Sequence, residues 1–219
     1  MRNWLHGLIL ALGLSWLFLA VMLLSSLQFE RQVQGAVREQ GAEAIERAVH
    51  AATGSLAPLF TPEVRYWEKA ILRWAAEHEL DPNLVATVMQ IESCGHPTVA
   101  SRAGAVGLFQ VMPYHFQPGE DPRDPETNAR RGLAYLRRAW EKTGGDVRLT
   151  LAAYNGGFKR LQEPETSWPA ETQRYVAWGT AIYQDAMQGR SHSPTLEAWL
   201  SRGGWSLCLR ARMALALSE

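Results

Sequence analysis

One glutamate stands where a charge is costly. A helix over Leu84 to Ser93, turning by about 100° per residue, puts Leu84, Val85, Val88, Met89 and Ile91 on one broad arc. Ala86, Thr87 and Gln90 take the opposite side. Glu92 follows Val88 by four residues and Val85 by seven, so it falls in the middle of the apolar arc. It also sits near the helix C-terminus, where the dipole disfavours negative charge. Burial and dipole both penalise the ionised form, so the carboxyl pKa is expected to rise. An acid that keeps its proton near neutral pH is what general acid catalysis needs. The competing reading is a frayed helix end with Glu92 in water.

The elements around that helix are helical too. Thr61-Pro62 and Asp81-Pro82 are cap-then-proline helix starts. After the first, Val64, Trp67, Ile71, Trp74 and Ala75 share one helix face. A glycine-rich stretch, Gly95 to Gly107, interrupts the pattern. Asp124-Pro125 opens another helix, with Leu133, Leu136 and Trp140 on one side and Gly144-Gly145 at its end. Further helices are predicted over Val147 to Tyr154 and Thr172 to Met187. The tail breaks at Gly203-Gly204 and continues as an apolar stretch, Trp205 to Leu217, expected to pack back onto the domain. No alternating strand pattern appears, so the fold is predicted to be mostly α. Trp67, Trp74, Trp140 and Trp178 fall at helical spacing and read as packing residues.

Residues Asn3 to Phe29 carry no Asp, Glu, Lys or Arg, and Leu8 to Leu27 is an apolar run of 20 residues. About 20 such residues span the hydrocarbon layer as a helix. Arg2 precedes the run, so the positive-inside rule leaves the N-terminus cytoplasmic and exports the rest. The reading is an uncleaved single-pass anchor in a bacterial cell membrane, with secretion after signal cleavage as the alternative. The expected organisation is a stub and anchor over 1–29, a stalk over 30–60, a catalytic domain over 61–190 and a tail over 191–219.

Four strings, in order, then carry a resemblance. They are Ile91-Glu92-Ser93, Ser101 to Pro113 (SRAGAVGLFQVMP), Ala152 to Gly157 (AAYNGG) and Glu171 to Val176 (ETQRYV). Together they closely resemble the catalytic domain of the soluble-type lytic transglycosylases, the SLT domain with its lysozyme-like fold. The resemblance covers roughly Thr61 to Gln188 and leaves out the anchor, the stalk and the tail. It implies that Glu92 is the single catalytic acid/base, followed by Ser93 of the family's Glu-Ser pair. It implies that Ser101, Gln110 and Met112 line a sugar cleft. Tyr154 then hydrogen-bonds the catalytic carboxyl, with Asn155 as its cleft neighbour, and Tyr175 is also on the cleft. Phe109 stands where methionine is common in the family, an apolar exchange of little expected consequence. In physical terms, Gly104 and Gly107 let backbone approach a bulky glycan, and Gln110 and Asn155 offer both donors and acceptors.

The implied substrate is the peptidoglycan glycan strand, cut at the β-1,4 bond leaving N-acetylmuramic acid with formation of a 1,6-anhydro ring. Most glycosidases use two carboxylates. A hydrolytic muramidase is therefore the alternative, with Glu120, Asp121, Asp124, Glu126, Glu163, Glu165 and Glu171 as candidates for the second acid. Glu171 also reads as a helix-start residue, and Glu120 to Glu126 as a solvated loop without a calcium ladder. A wall-binding scaffold without catalysis is the third reading.

The 219 residues carry 22 basic and 22 acidic side chains, a zero balance that argues against a nucleic-acid partner. Hydrophobic residues make up 47%, enough for a sizeable core. No cofactor and no metal are expected, and protein partners are not legible. The two cysteines, Cys94 and Cys208, show no zinc-site spacing. In an oxidising compartment they are expected to form a disulfide that pins the tail near Glu92.

Overall fold

The computed structural model describes residues 54–217, together with Gln28, Arg31 and Gln32. The anchor over 1–29 and most of the stalk lie outside the described residues. Among the described residues no helix is long and apolar enough to cross a membrane. The chain divides into two compact units, residues 1–45 and 46–219.

The second unit is helical, and its described residues form no β-strand. In chain order come α1 (Pro62–Arg65), α2 (Glu68–Glu77), α3 (Pro82–Glu92), α4 (Pro125–Lys142), α5 (Val147–Gly156), α6 (Ala170–Met187), α7 (Pro194–Trp199) and α8 (Trp205–Ala214). Single antiparallel bridges join Val106 to Ala100 and to Val111 in the long loop between α3 and α4. The predicted helices are present with one division. The stretch expected to run continuously from Pro62 breaks at Tyr66-Trp67 into α1 and α2. Thr61 caps α1 by position only, because its hydroxyl turns to the Gln90 Oε1 at 3.2 Å.

α3 is the central element. It packs against α1, α2 and α6. The Asp81 carboxylate caps it, accepting from the backbone N–H groups of Asn83 and Leu84. Every residue from Leu84 to Gln90 is buried, so the side carrying Ala86, Thr87 and Gln90 is no solvent face. Thr87 satisfies its hydroxyl on the Asn83 carbonyl at 2.7 Å, and Gln90 Oε1 accepts from the Thr61 N–H. Burial on all sides holds α3 in place up to Gln90, and Ile91 and Glu92 at its end are half-buried.

The core reaches beyond residues 61–190 in both directions. Leu56, Ala57, Leu59 and Phe60 are buried in it, and so are Leu196, Trp199, Cys208 and Ala211 of the tail. Trp74 is buried in the same core, while Trp67, Trp140 and Trp178 pack against it. The tail is tied down by chemistry as well as packing. Ser193 donates to Asp185 at 2.6 Å and Arg190 pairs with the same carboxylate at 2.7 Å. Arg212 donates to the buried Glu63 at 2.7 Å. Cys94 and Cys208 form a disulfide that joins α8 to the chain just past α3.

Candidate active site

Glu92 is the last residue of α3 and lines a cleft of about 400 Å³. The facing loop is held open by a buried asparagine. Asn128 on α4 accepts from the Phe109 N–H at 2.9 Å and donates to the carbonyls of Val106 (2.8 Å) and Pro122 (2.9 Å). All three bonds fix backbone that could not otherwise pair in a loop. Gly107 is part of this packing. It has φ +80°, and a Cβ there would lie 2.3 Å from the Asn128 amide nitrogen. Phe109 is fully buried, edge-on to Trp74 with centroids 6.2 Å apart. The exchange of methionine for phenylalanine therefore falls on the core side of the loop.

Glu92 is half-buried, open to the cleft on one side and packed on the others, and its pKa is pushed up to about 8. Burial is the main cause, and the charge of Glu171 adds to it. Tyr175 opposes part of the rise by directing its hydroxyl at the carboxyl. That contact falls short of full hydrogen-bond geometry, and the buried Tyr175 hydroxyl makes no other bond. Below about pH 8 the dominant form of Glu92 is thus the neutral acid.

The cleft gathers Ser101, Gln110, Met112, Tyr154 and Asn155 with Glu92. Gln110 has φ +46°, a left-handed backbone for a non-glycine residue. Its amide pays for that by donating to the carbonyls of Val99 (3.1 Å) and Gly107 (3.0 Å). The Ser101 hydroxyl accepts from the Ala105 N–H at 3.0 Å, closing the turn that carries it.

Five residues sit elsewhere than expected. Ser93 does not reach the cleft: it is fully buried, donates to the Leu108 carbonyl at 2.7 Å and accepts from the Gly95 N–H. Gly107 is taken up by Asn128, and Gly104 is also absent from the cleft wall. Tyr154 does not bond the Glu92 carboxyl, because its hydroxyl donates to the Phe109 carbonyl at 2.7 Å. Tyr175 lies behind Glu92, not on the cleft, and it is the tyrosine aimed at the acid. Sequence order cannot show which tyrosine hydroxyl the helix crossing aims at the end of α3.

Glu171, on the first turn of α6, lines the cleft and is within electrostatic reach of Glu92. Glu120 is occupied elsewhere, held by Arg130 and Arg131 with its pKa lowered to about 2. Glu126 pairs with Arg73 and accepts from the Trp74 indole at 2.8 Å. Glu63 lies with Cys94 and Cys208 within 4.8 Å, but bonded sulfurs are not thiolate ligands. The sequence reading missed Tyr114, His115, Gly132 and Tyr135, which line the same cleft from outside the four strings. The helical register of α4 gave the only signal: Tyr135 sits three residues after Gly132.

The fold and site thus define a helical domain with a half-buried, proton-retaining carboxyl on a polar cleft. Residues 69–175 match the family model of the transglycosylase SLT domain. The chain is 38% identical over 111 residues to a transglycosylase of Enterobacteria phage PRD1, covering 50% of this chain and 40% of that protein. It is 30% identical over 103 residues to a soluble lytic murein transglycosylase of Escherichia coli, covering 41% of this chain and 16% of the relative. The 70 kDa soluble lytic transglycosylase of Escherichia coli is a structural neighbour at 26% identity and a TM-score of 0.48, covering 58% of this chain and 25% of that one. The chain therefore spans less than half the length of these relatives.

Proposed function

We propose that the chain is a peptidoglycan lytic transglycosylase acting outside the cytoplasm, held at the membrane by the apolar N-terminal run. The observation that carries this reading is Glu92, an acid with its pKa raised to about 8 on the cleft of an SLT domain. Neutral Glu92 protonates the glycosidic oxygen as the bond to C1 of N-acetylmuramic acid breaks. The neighbouring acetamido group shares the positive charge at C1. Ionised Glu92 then takes the proton of the C6 hydroxyl, whose oxygen bonds to C1 and closes the 1,6-anhydro ring. The nucleophile is tethered to the reacting ring, which gives it a high effective concentration. Ser101, Gln110, Met112 and Asn155 are the side chains offered to the sugars, and Tyr175 orients the acid.

Glu171 favours a second reading. It is an acid on the same cleft and would suit a hydrolytic muramidase by activating water. The test is digestion of purified peptidoglycan by the full-length chain in detergent, with mass spectrometry of the released sugars beside a Glu92→Gln variant. Anhydro ends that vanish in the variant support the transglycosylase. Reducing ends that vanish in Glu171→Gln support the muramidase.

A further inference from the structure

The cleft does not end at Tyr154. A row of rings continues from it: Tyr154 to Tyr135 at 5.8 Å, Tyr135 to His115 at 5.1 Å, and His115 to Tyr114 at 4.5 Å between centroids. Phe158 joins Tyr135 from the side at 5.1 Å. Tyr114 is 75% exposed, although it lines the cleft. A ring backed by His115, largely exposed and facing a polar cavity, offers its open surface to a ligand.

The charges beside this wall are unusual for the helix that carries them. α4 holds Arg130, Arg131, Arg137 and Arg138. Arg130 and Arg131 pair with Glu120, and Arg137 pairs with Glu79 and Glu141. Arg138 has no carboxylate within ion-pair distance among the described residues. Its guanidinium lies over Tyr135 at 5.9 Å and over Phe158 at 5.2 Å. Lys142, one turn further, places Nζ 5.7 Å from the Phe158 ring. A cation over an aromatic face is held in place without being neutralised. Burial and then the Arg138 charge lower the pKa of His115, which disfavours a further cation in the wall.

We propose that Arg138 and Lys142, mounted on the Tyr135–Phe158 platform, form a subsite for a carboxylate on the branch of the muramic acid residue, with Tyr114 and His115 packing against the sugar that bears it. The inference rests on the peptidoglycan reading above. An unpaired guanidinium presents a fork matched to a carboxylate, and the aromatic wall supplies the apolar surface a sugar ring needs. Neutral glycans lack that group, so the subsite would select muramic acid strands over strands of N-acetylglucosamine alone.

The test uses the full-length chain in detergent and three disaccharide probes. One carries a stem peptide with free carboxyls, one has those carboxyls amidated, and one has lost the peptide and exposes its lactyl carboxylate. Binding is measured by calorimetry at low and moderate salt, for the parent chain and for Arg138→Gln/Lys142→Gln. The expected result is a preference of about three- to tenfold for a free carboxylate over its amide, reduced by salt and lost in the double variant. The probe that shows the preference identifies the carboxylate as stem or lactyl. An equal preference in parent and double variant overturns the subsite, as does no preference in a parent that cleaves peptidoglycan. If the parent cleaves no peptidoglycan yet shows the Arg138-dependent preference, the subsite stands and the activity falls. If no probe binds at all, both fall.

Discussion

Replacing Glu92 with glutamine should make the protein more stable, and by an amount that grows with pH. The folded carboxyl has its pKa pushed up to about 8 from an ordinary 4.5. The unfolded chain therefore releases this proton at lower pH than the folded one. Below about pH 4.5 both states hold it, and Glu92 costs nothing. Between 4.5 and 8 the unfolded state gains from ionising, and stability falls as pH rises. Above about 8 both states are ionised and the loss levels off. At roughly 1.4 kcal/mol per pH unit of divergence, the full penalty is about 1 kcal/mol at pH 5, about 3 at pH 7 and about 5 at pH 9. The cleft admits water to Glu92, so roughly half of each figure is the realistic expectation. Glutamine has nearly the same shape and never ionises, so it should recover that amount at each pH. Urea unfolding of parent and Glu92→Gln at pH 5, 7 and 9 measures it. A midpoint gain of several degrees at pH 7 is the thermal equivalent for a domain of this size. An increment that is flat with pH, or a loss of stability at pH 9, would refute the burial argument and return Glu92 to solvent.

Four further outcomes follow from the same geometry. If neutral Glu92 is the working acid, cleavage should fall as pH rises through about 8, tenfold per unit beyond it, when rates of sugar release are measured across pH 6 to 10. Reducing Cys94–Cys208 frees a loop with a sequence separation of 114 and should lower unfolding free energy by up to about 4–5 kcal/mol in the chain-entropy model, read by melting with and without dithiothreitol. Asn128→Ala removes three backbone partners at once; it should cost about 2–4 kcal/mol and depress activity through the loop bearing Gln110, checked by urea unfolding and turnover together. Tyr175→Phe removes the hydroxyl aimed at Glu92, so the high-pH limb of the activity profile should move upward; an unmoved limb would separate Tyr175 from the acid.

Local signals in the chain were enough for the helices and the acid. Proline starts at Pro62, Pro82 and Pro125, apolar periodicity and glycine stops are local signals, and local geometry decides them. The position of Glu92 on an apolar arc at a helix end was enough to predict a raised pKa, because burial and the dipole act on that one residue. Cys94 and Cys208 were also legible, since two cysteines allow a single pairing within the chain.

Tertiary structure alone decided what surrounds the acid. Tyr154 and Tyr175 are both tyrosines in matching strings, yet the crossing of α3 with α6 aims the Tyr175 hydroxyl at the carboxyl while that of Tyr154 goes to the Phe109 carbonyl. Ser93 is adjacent to Glu92 in sequence but points the other way, into the Leu108 carbonyl, because neighbouring helical residues diverge by about 100°. The Tyr114–Tyr135 wall and the unpaired Arg138 come from segments without any chemical motif. Tyr114 and Tyr135 reach the cleft of the acid because α4 packs along α5 and turns one face to it, and Arg138 lies over Tyr135. Contacts between segments far apart in sequence depend on how helices cross, and side-chain packing over the whole core sets that crossing.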